Sequence, residues 1–284
     1  MTIPLDEYNS KVKPTWCEGC GNYAIHIALK KALSELEIRP NQAFMAFDIG
    51  CNGNGADKIK VNAFKGLHGR SIPLAVGAHL VNRKMTVFAD IGDGGVLHEG
   101  VDHLIHAVRS NYDITILIHN NENFALTTGQ ATATTKDDKQ MYGLPDGCCE
   151  RRINIGELVL NQKASFFARA YSGDPVQMTE IIKEGIKHKG CSVIEIIQVC
   201  PTYNKGSNPE WFTEKIEKLE QPLKTLNSAR KAVDTSEKIK TGIIYQDQST
   251  PTFYDCLENR KNEDTELVDE VEQHDISKLL DYLR

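Results

Sequence analysis

The sequence predicts an α/β fold, a mainly parallel sheet with helices on both faces, followed by a polar C-terminal extension. Three observations predict it. Short apolar, β-branched runs alternate with stretches of helical spacing over the first two hundred residues. Several of those runs end in glycine, asparagine or cysteine clusters, the pattern expected where strands leave the ligand-binding edge of an open sheet. After about Lys205 the apolar content drops and charge accumulates. Residues 1–204 are therefore read as one α/β domain. Residues 205–284 are read as a C-terminal extension, peripheral or partner-docking.

Residues 1–16 are polar and carry Pro4 and Pro14, an extended arm. Trp16-Cys17-Glu18-Gly19-Cys20-Gly21-Asn22 follows, a Cys-x-x-Cys whose glycines permit a tight turn around a shared metal. Ala24–Leu36 is amphipathic and predicts a helix; Phe44–Ile49 predicts a strand that exits into Gly50-Cys51-Asn52-Gly53-Asn54-Gly55. Gly66-Leu67-His68-Gly69-Arg70 and a helix through Ala75 to Val81 lead to the centre of the chain. There Met85–Ile91 and Ile114–Ile118 predict buried strands, and Leu97, Val101, Leu104, Ile105 and Val108 between them recur at helical spacing.

That strand–helix–strand unit carries the strongest chemical signal. Its first strand ends in Gly92-Asp93-Gly94-Gly95 and its second in Asn120-Asn121. A right-handed crossover brings both ends to the same edge of the sheet. Glycines let backbone approach a diphosphate, and the following helix points its free N–H groups there. Asp93, the Asn121 amide oxygen and a main-chain carbonyl from the turn after it form a hard-oxygen set of the kind Mg²⁺ takes. Gly-Asp-Gly, 25 residues, then Asn-Asn resembles the signature of enzymes that bind thiamine diphosphate (ThDP).

Beyond this unit, residues 131–152 form a long, polar connection of the kind that tends to be functional. Ile155–Leu160 reads as helical, Phe166–Ala170 as a strand, Pro175–His188 as a helix and Ser192–Val199 as a strand that ends in Cys200-Pro201-Thr202-Tyr203-Asn204. In the extension, Trp211–Leu219 and Ile276–Leu283 predict short helices and Thr241–Tyr245 a short strand; residues 248–273 are polar and acidic.

Composition excludes other classes. With 284 residues and 40% hydrophobic content the chain buries a full core. A net charge of −6 with mixed signs gives no nucleic-acid footprint. No apolar run approaches the roughly 20 residues of a membrane helix, and the N-terminus is not a signal peptide, so a cytoplasmic protein is expected. Eight cysteines in a reducing compartment point to metal ligands, core thiols or redox groups. Cys51 and Cys200 both follow strands, as the Gly-Asp-Gly-Gly turn does. With Cys17 and Cys20 they make four thiolates at one sheet edge, suited to a structural zinc or a 4Fe–4S cluster. The dispersion of the third and fourth favours the cluster. Cys148-Cys149 are adjacent and cannot both face one metal; Cys191 and Cys256 read as ordinary thiols.

Taken together, Trp16 to Gly21, Ile49-Gly50-Cys51, Gly66 to Arg70, the turn at 92–95, NNENFALTTGQ at 120–130 and Val199 to Asn204 resemble the β subunit of 2-oxoacid:ferredoxin oxidoreductases over residues 14 to 215. The resemblance implies the ThDP-binding fold and a reaction. That reaction is oxidative decarboxylation of a 2-oxoacid, pyruvate or 2-oxoglutarate above all, to acyl-CoA and CO₂, with electrons passed through one 4Fe–4S cluster to ferredoxin. By the matching positions, Cys17, Cys20, Cys51 and Cys200 would hold the cluster. Asp93, Asn121 and the Asn123 carbonyl would ligate Mg²⁺. Ile49, Gly50, Cys51, Asn52, His68, Gly94, Gly95, Ala125 and Leu126 would line the coenzyme. His68 is the expected catalytic residue, through the diphosphate or a proton near the substrate; His98, His103, His106 and His119 read as packing or surface groups.

The resemblance further implies coenzyme A as co-substrate and an α subunit, in a heterodimer or dimer of heterodimers, that supplies the glutamate for the aminopyrimidine. Three departures bear on the substrate more than on the reaction class. Phe124-Ala125 stands where the family commonly has Tyr-Gly, a lysine is often found near Thr128, and Asn52 stands where Ser or Ala often follows the cysteine. Two rival readings are a non-redox ThDP decarboxylase or synthase subunit with structural zinc, and a non-catalytic scaffold subunit.

Overall fold

The computed structural model describes residues 2–137, 139–205, 209–271 and 275–283. Residues 206–208, 272–274 and 284, part of the expected C-terminal extension, lie outside the described residues.

Among these residues the chain runs through α1 (Asn22–Glu35), β1 (Ala43–Phe47), β2 (Asn62–Lys65), α2 (Ser71–Val81), β3 (Thr86–Gly92), α3 (Val101–Ser110) and β4 (Thr115–Asn120). It continues through α4 (Ile155–Asn161), β5 (Phe166–Tyr171), α5 (Pro175–Lys187), β6 (Ser192–Ile197), α6 (Pro209–Lys215) and β7 (Ile216–Lys218). It closes with α7 (Leu226–Ala232), β8 (Ile239–Gln246) and α8 (Ser277–Tyr282). The strands form one sheet in the order β2-β1-β3-β4-β6-β5-β8-β7. Every pairing is parallel except β5 with β8.

The strand sequences explain this arrangement. β4, β5 and β6 are buried at every position, as parallel strands covered on both faces must be. One face packs Ile116, Ile118, Val193 and Phe167 against α2, α3, α4 and α7. The other packs Phe88, Leu117, Ile194 and Phe166 against α1 and α5, which lie against each other. Local signals set the helix starts. Asp174 accepts the Gln177 N–H at 3.0 Å with Pro175 as the first helical residue, and Asn154 caps α4 through the Glu157 N–H at 3.2 Å.

From β1 the chain steps outward to β2, then returns over α2 to β3 on the other side of β1. The reversal opens a crevice between the carboxyl ends of β1 and β3, where open α/β sheets bind ligands. Within the segment expected as an extension, β7, α7 and β8 complete the sheet, and Ala229, Ala232, Val233 and Ile244 enter the core. The helix expected over Trp211–Leu219 ends at Lys215, because Ile216–Lys218 pair with Ile239–Thr241 as a strand. No helix among the described residues is long and apolar enough to cross a membrane.

One core contact has a measurable pH signature. His188 is 1% exposed and its Nε2 meets the Ser165 hydroxyl at 2.9 Å, while Ser165 donates to Asn111 Oδ1 at 2.6 Å. Burial pushes its imidazole down to about 4. The unfolded chain, with an ordinary histidine near 6.5, then binds more protons than the folded one between these values. Stability is therefore full above the ordinary value and falls as the pH drops from there toward 4. Denaturant titrations across that window are expected to show a shallower pH slope in His188→Gln than in the parent chain.

Candidate active site

Three strand exits converge on one cavity. Ile49 to Asn52 arrive from β1, Gly92 to Gly95 from β3, and Asn121 with Asn123 to Thr127 from β4; His68, Glu99 and His119 complete the lining. The expected coenzyme-lining residues, Ile49, Gly50, Cys51, Asn52, His68, Gly94, Gly95, Ala125 and Leu126, all face it, as do Asp93, Asn121 and Asn123. Its volume is about 80 Å³. A complete ligand pocket holds roughly 300–1,000 Å³, several times this volume.

The glycines act here by lacking a Cβ. A methyl on Gly94 would sit 2.3 Å from the Phe124 ring, and one on Gly95 would sit 1.9 Å from Asp48 Oδ2. Gly95 also opens a turn of π-helix to Glu99 that leads into α3, a local irregularity common at functional sites. Gly94→Ala is expected to push Phe124 into the cavity. Coenzyme affinity should then fall at least about tenfold, measured by fluorescence titration of the intact complex, with the melting temperature nearly unchanged.

Asp93 is 1% exposed at the end of β3. Its Oδ2 accepts the hydroxyls of Thr132 and Thr134, each at 2.6 Å. Burial raises its carboxyl to about 6, against these two hydroxyls and the Asn121 backbone N–H, which favour the ionised form. Asn121 is fixed on both sides. Its Oδ1 accepts the Asn123 N–H at 3.1 Å, and its carbonyl accepts from Asn204 Nδ2 at 2.9 Å and Asn123 Nδ2 at 2.8 Å. The result is a cluster of hard oxygen donors with one buried carboxylate, a set that fits a small divalent cation.

A second polar chain lies beneath the cavity. Asn52 Nδ2 donates to Asp90 Oδ1 at 2.9 Å, Asp90 Oδ2 meets His119 Nε2 at 3.0 Å, and His119 Nδ1 meets Asn22 Oδ1 at 2.9 Å. All four residues are buried. His119, expected as a packing or surface group, thus lines the coenzyme cavity as well as packing. Asp48, also buried, holds the Gly69 N–H at 2.7 Å and leaves Oδ2 without a partner; burial raises it to about 6. Asp48, Asp90, Thr132 and Thr134 were not expected from sequence.

The cysteines gather beside the cavity. The Cys17–Cys20 turn docks on the exit of β6, because Gly21 donates to the Val199 carbonyl at 3.0 Å and Gly19 lies against Pro201. Trp16 Nε1 donates to the Cys51 carbonyl at 2.7 Å, tying the turn to the exit of β1. The Cys51 thiol is pushed up to about 12, first by burial, then by Cys20, Cys200 and Cys17. Burial also raises Cys20, with Cys200 and Cys17 adding to it. Cys51 is thus within electrostatic reach of Cys17, Cys20 and Cys200, and Cys20 of Cys17 and Cys200. Among the described residues no three His, Cys, Asp or Glu stand close enough to share a single ion. Cys148, Cys149, Cys191 and Cys256 are free thiols too.

This geometry has counterparts among known proteins. Residues 48–196 match the family described as thiamine pyrophosphate enzyme, C-terminal TPP binding domain. Residues 200–262 match the family that describes the C-terminal part of the pyruvate ferredoxin oxidoreductase beta chain. The chain is 34% identical, over 89% of its length and 84% of the relative's, to 2-oxoacid:ferredoxin oxidoreductase 1, subunit beta, of Aeropyrum pernix. It is 31% identical to 2-oxoglutarate synthase subunit KorB of Methanocaldococcus jannaschii, over 85% of this chain and 90% of that one. Among solved structures it resembles 2-oxoglutarate:ferredoxin oxidoreductase from Magnetococcus marinus with 2-oxoglutarate, coenzyme A and succinyl-CoA bound. The TM-score is 0.85 and the identity 28%, covering 88% of this chain and 87% of that one.

Proposed function

Since the chain belongs to the family of 2-oxoacid:ferredoxin oxidoreductase β subunits, we propose that it binds thiamine diphosphate through Mg²⁺ and carries one 4Fe–4S cluster. On this reading it serves the oxidative decarboxylation of a 2-oxoacid to acyl-CoA and CO₂, with electrons leaving to ferredoxin. One observation carries the reading: an oxygen-donor set and a four-thiol set meet at the same sheet edge, and Cys51 belongs to both neighbourhoods.

Asp93, Asn121 and the Asn123 carbonyl are the proposed Mg²⁺ ligands, and the glycine turn at 92–95 gives the diphosphate room against the backbone. Cys17, Cys20, Cys51 and Cys200 are the proposed cluster ligands. Two sulfurs on one zinc stand no more than about 4.6 Å apart, given Zn–S bonds near 2.3 Å. A cluster bonds each thiolate to its own iron, which suits thiols spread over two strand exits and a turn. When bound, the coenzyme supplies the carbanion stabilisation that 2-oxoacid decarboxylation needs, and the cluster one-electron transfer.

The chain's own residues position and shield. His68 is exposed and lines the cavity, and on this reading it hydrogen-bonds the diphosphate or moves a proton near the substrate. Phe124 and Leu126 add apolar surface to the lining. The named activities of the relatives support a 2-oxoacid substrate, pyruvate or 2-oxoglutarate, with coenzyme A as co-substrate. The small cavity, the exposed Leu126 in its lining and the exposed Leu67 next to His68, 55% and 76% exposed, support completion by an α subunit.

The test is anaerobic co-purification with the α partner, iron and sulfide analysis, and a panel of 2-oxoacids with coenzyme A and a redox dye. A brown complex with CoA-dependent dye reduction is the expected result. This chain alone is expected to bind little coenzyme and to turn nothing over. Full activity without a partner would overturn the division of labour, and a complex without iron would overturn the cluster.

A further inference from the structure

A second and larger cavity, about 350 Å³, lies on the α4 and α7 side of the sheet and shares only Asn121 with the coenzyme cavity. Its floor comes from a change of chemistry along three adjacent strands. On this face the core rows read Ile116 and Ile118 in β4, Val193 in β6 and Phe167 in β5. The next residues on the same face are Asn120, Glu195 and Arg169, with Arg169 directly opposite Glu195 in the strand register. An apolar core thus gives way to a polar floor in one step.

That floor is buried and incompletely paired. Arg169 is 1% exposed, and its Nε donates to Glu195 Oε2 at 2.8 Å. Asn120 Nδ2 donates to Glu195 Oε1 at 2.8 Å, so the carboxylate is satisfied by both neighbours. Arg169 Nη1 and Asn120 Oδ1 are left without a hydrogen-bond partner. A buried ion pair is weak evidence for stability, since apolar residues of similar size usually serve the core as well or better. The Arg169 Nη1 N–H and the Asn120 amide oxygen are hydrogen-bonding capacity that the chain itself leaves unused beside the cavity.

The walls indicate its charge. Lys136, Arg152 and Lys215 line the cavity together with Arg169. Glu122 faces Lys136 and Lys139 at 3.6 Å each, and Asp137 is the remaining carboxylate of the lining. We propose that this cavity is a second ligand site, distinct from the coenzyme cavity, for a small organic oxyanion. Arg169 Nη1 takes the carboxylate or phosphate group, Arg152 and Lys215 attract it, and Asn120 Oδ1 accepts a hydroxyl or amide N–H from the same molecule. The volume lies within the range of small-molecule pockets and exceeds what a lone inorganic ion fills.

Trp211 lines the cavity with the Lys136 ammonium 3.7 Å from its ring centre, which gives a local optical readout. The emission difference between the wild-type α/β complex and one carrying Trp211→Phe is titrated with succinate and, separately, with inorganic phosphate. A saturable change is expected. The more effective probe identifies the anion class. Arg152→Gln with Lys215→Gln, both at the rim and away from the coenzyme cavity, should weaken it at least about tenfold, with the KM for the 2-oxoacid unchanged. Arg169→Lys, which keeps the charge near Glu195, should weaken it as well. No saturable change with either probe, or equal affinity in the rim double variant, overturns the proposal. Either result leaves the coenzyme assignment standing.

Discussion

Asp93→Ala is expected to abolish coenzyme binding in the assembled complex. The carboxylate is the only charged member of the proposed Mg²⁺ set, and neither amide nor carbonyl oxygen replaces its attraction for a divalent cation. Loss of a group that merely orients a metal ligand weakens a site by about 10- to 100-fold, so loss of the charged ligand itself should exceed about a hundredfold. Thr132 and Thr134, which donate to Asp93 in the structure, would lose their acceptor but keep each other, their hydroxyls standing 3.1 Å apart. The fold should survive. Calorimetric titration of ThDP with Mg²⁺ checks the first expectation and the melting temperature the second. Activity retained in the Asp93→Ala complex would remove Asp93 from the site.

Cys200→Ser is expected to cost the cluster and, with it, all electron delivery to ferredoxin or dye. Cys200 is buried at the exit of β6, against the turn that carries Cys17 and Cys20. A serine hydroxyl is a poor substitute for thiolate on iron, which prefers soft sulfur donors. The visible absorbance, iron content and dye reduction should fall together, while ThDP binding persists because Asp93 and Asn121 are untouched. Cys256→Ser, at an exposed thiol, is the control and should leave all of these at the parent level. Full iron content in Cys200→Ser would mean the fourth ligand lies elsewhere.

How much of this was legible in the sequence follows from the physics of each element. β4, β5 and β6 are buried at every position and β3 at all but its two end residues, and such burial demands the continuous apolar runs that made them readable. β2 has no such demand. Its Asn62–Lys65 is an exposed edge strand, specified by pairing with β1 and not by its own composition. β7 is three residues long and its partner β8 lies more than twenty residues downstream, so nothing local ends the helix before Ile216. The site divides the same way. The glycine turn, Asn121 and the cysteines could be proposed from sequence because ligand chemistry would restrict their types and spacing. Asp90, His119 and Asn22 were not, because their connection exists only once β3, β4 and α1 are stacked. Asp48 sits within what reads as a strand end, and only the fold reveals that Gly69 and Gly95 crowd it.

The position of β6 sets a timetable for maturation. It lies between β4 and β5 yet follows both in sequence, so the centre of the sheet is complete only with its insertion. Cys200 travels at its tip. A nascent chain can present Cys17, Cys20 and Cys51 early, but the fourth sulfur reaches them only when that insertion is complete. On the proposed cluster assignment, a chain truncated before β6 would lack the fourth ligand and should hold no iron.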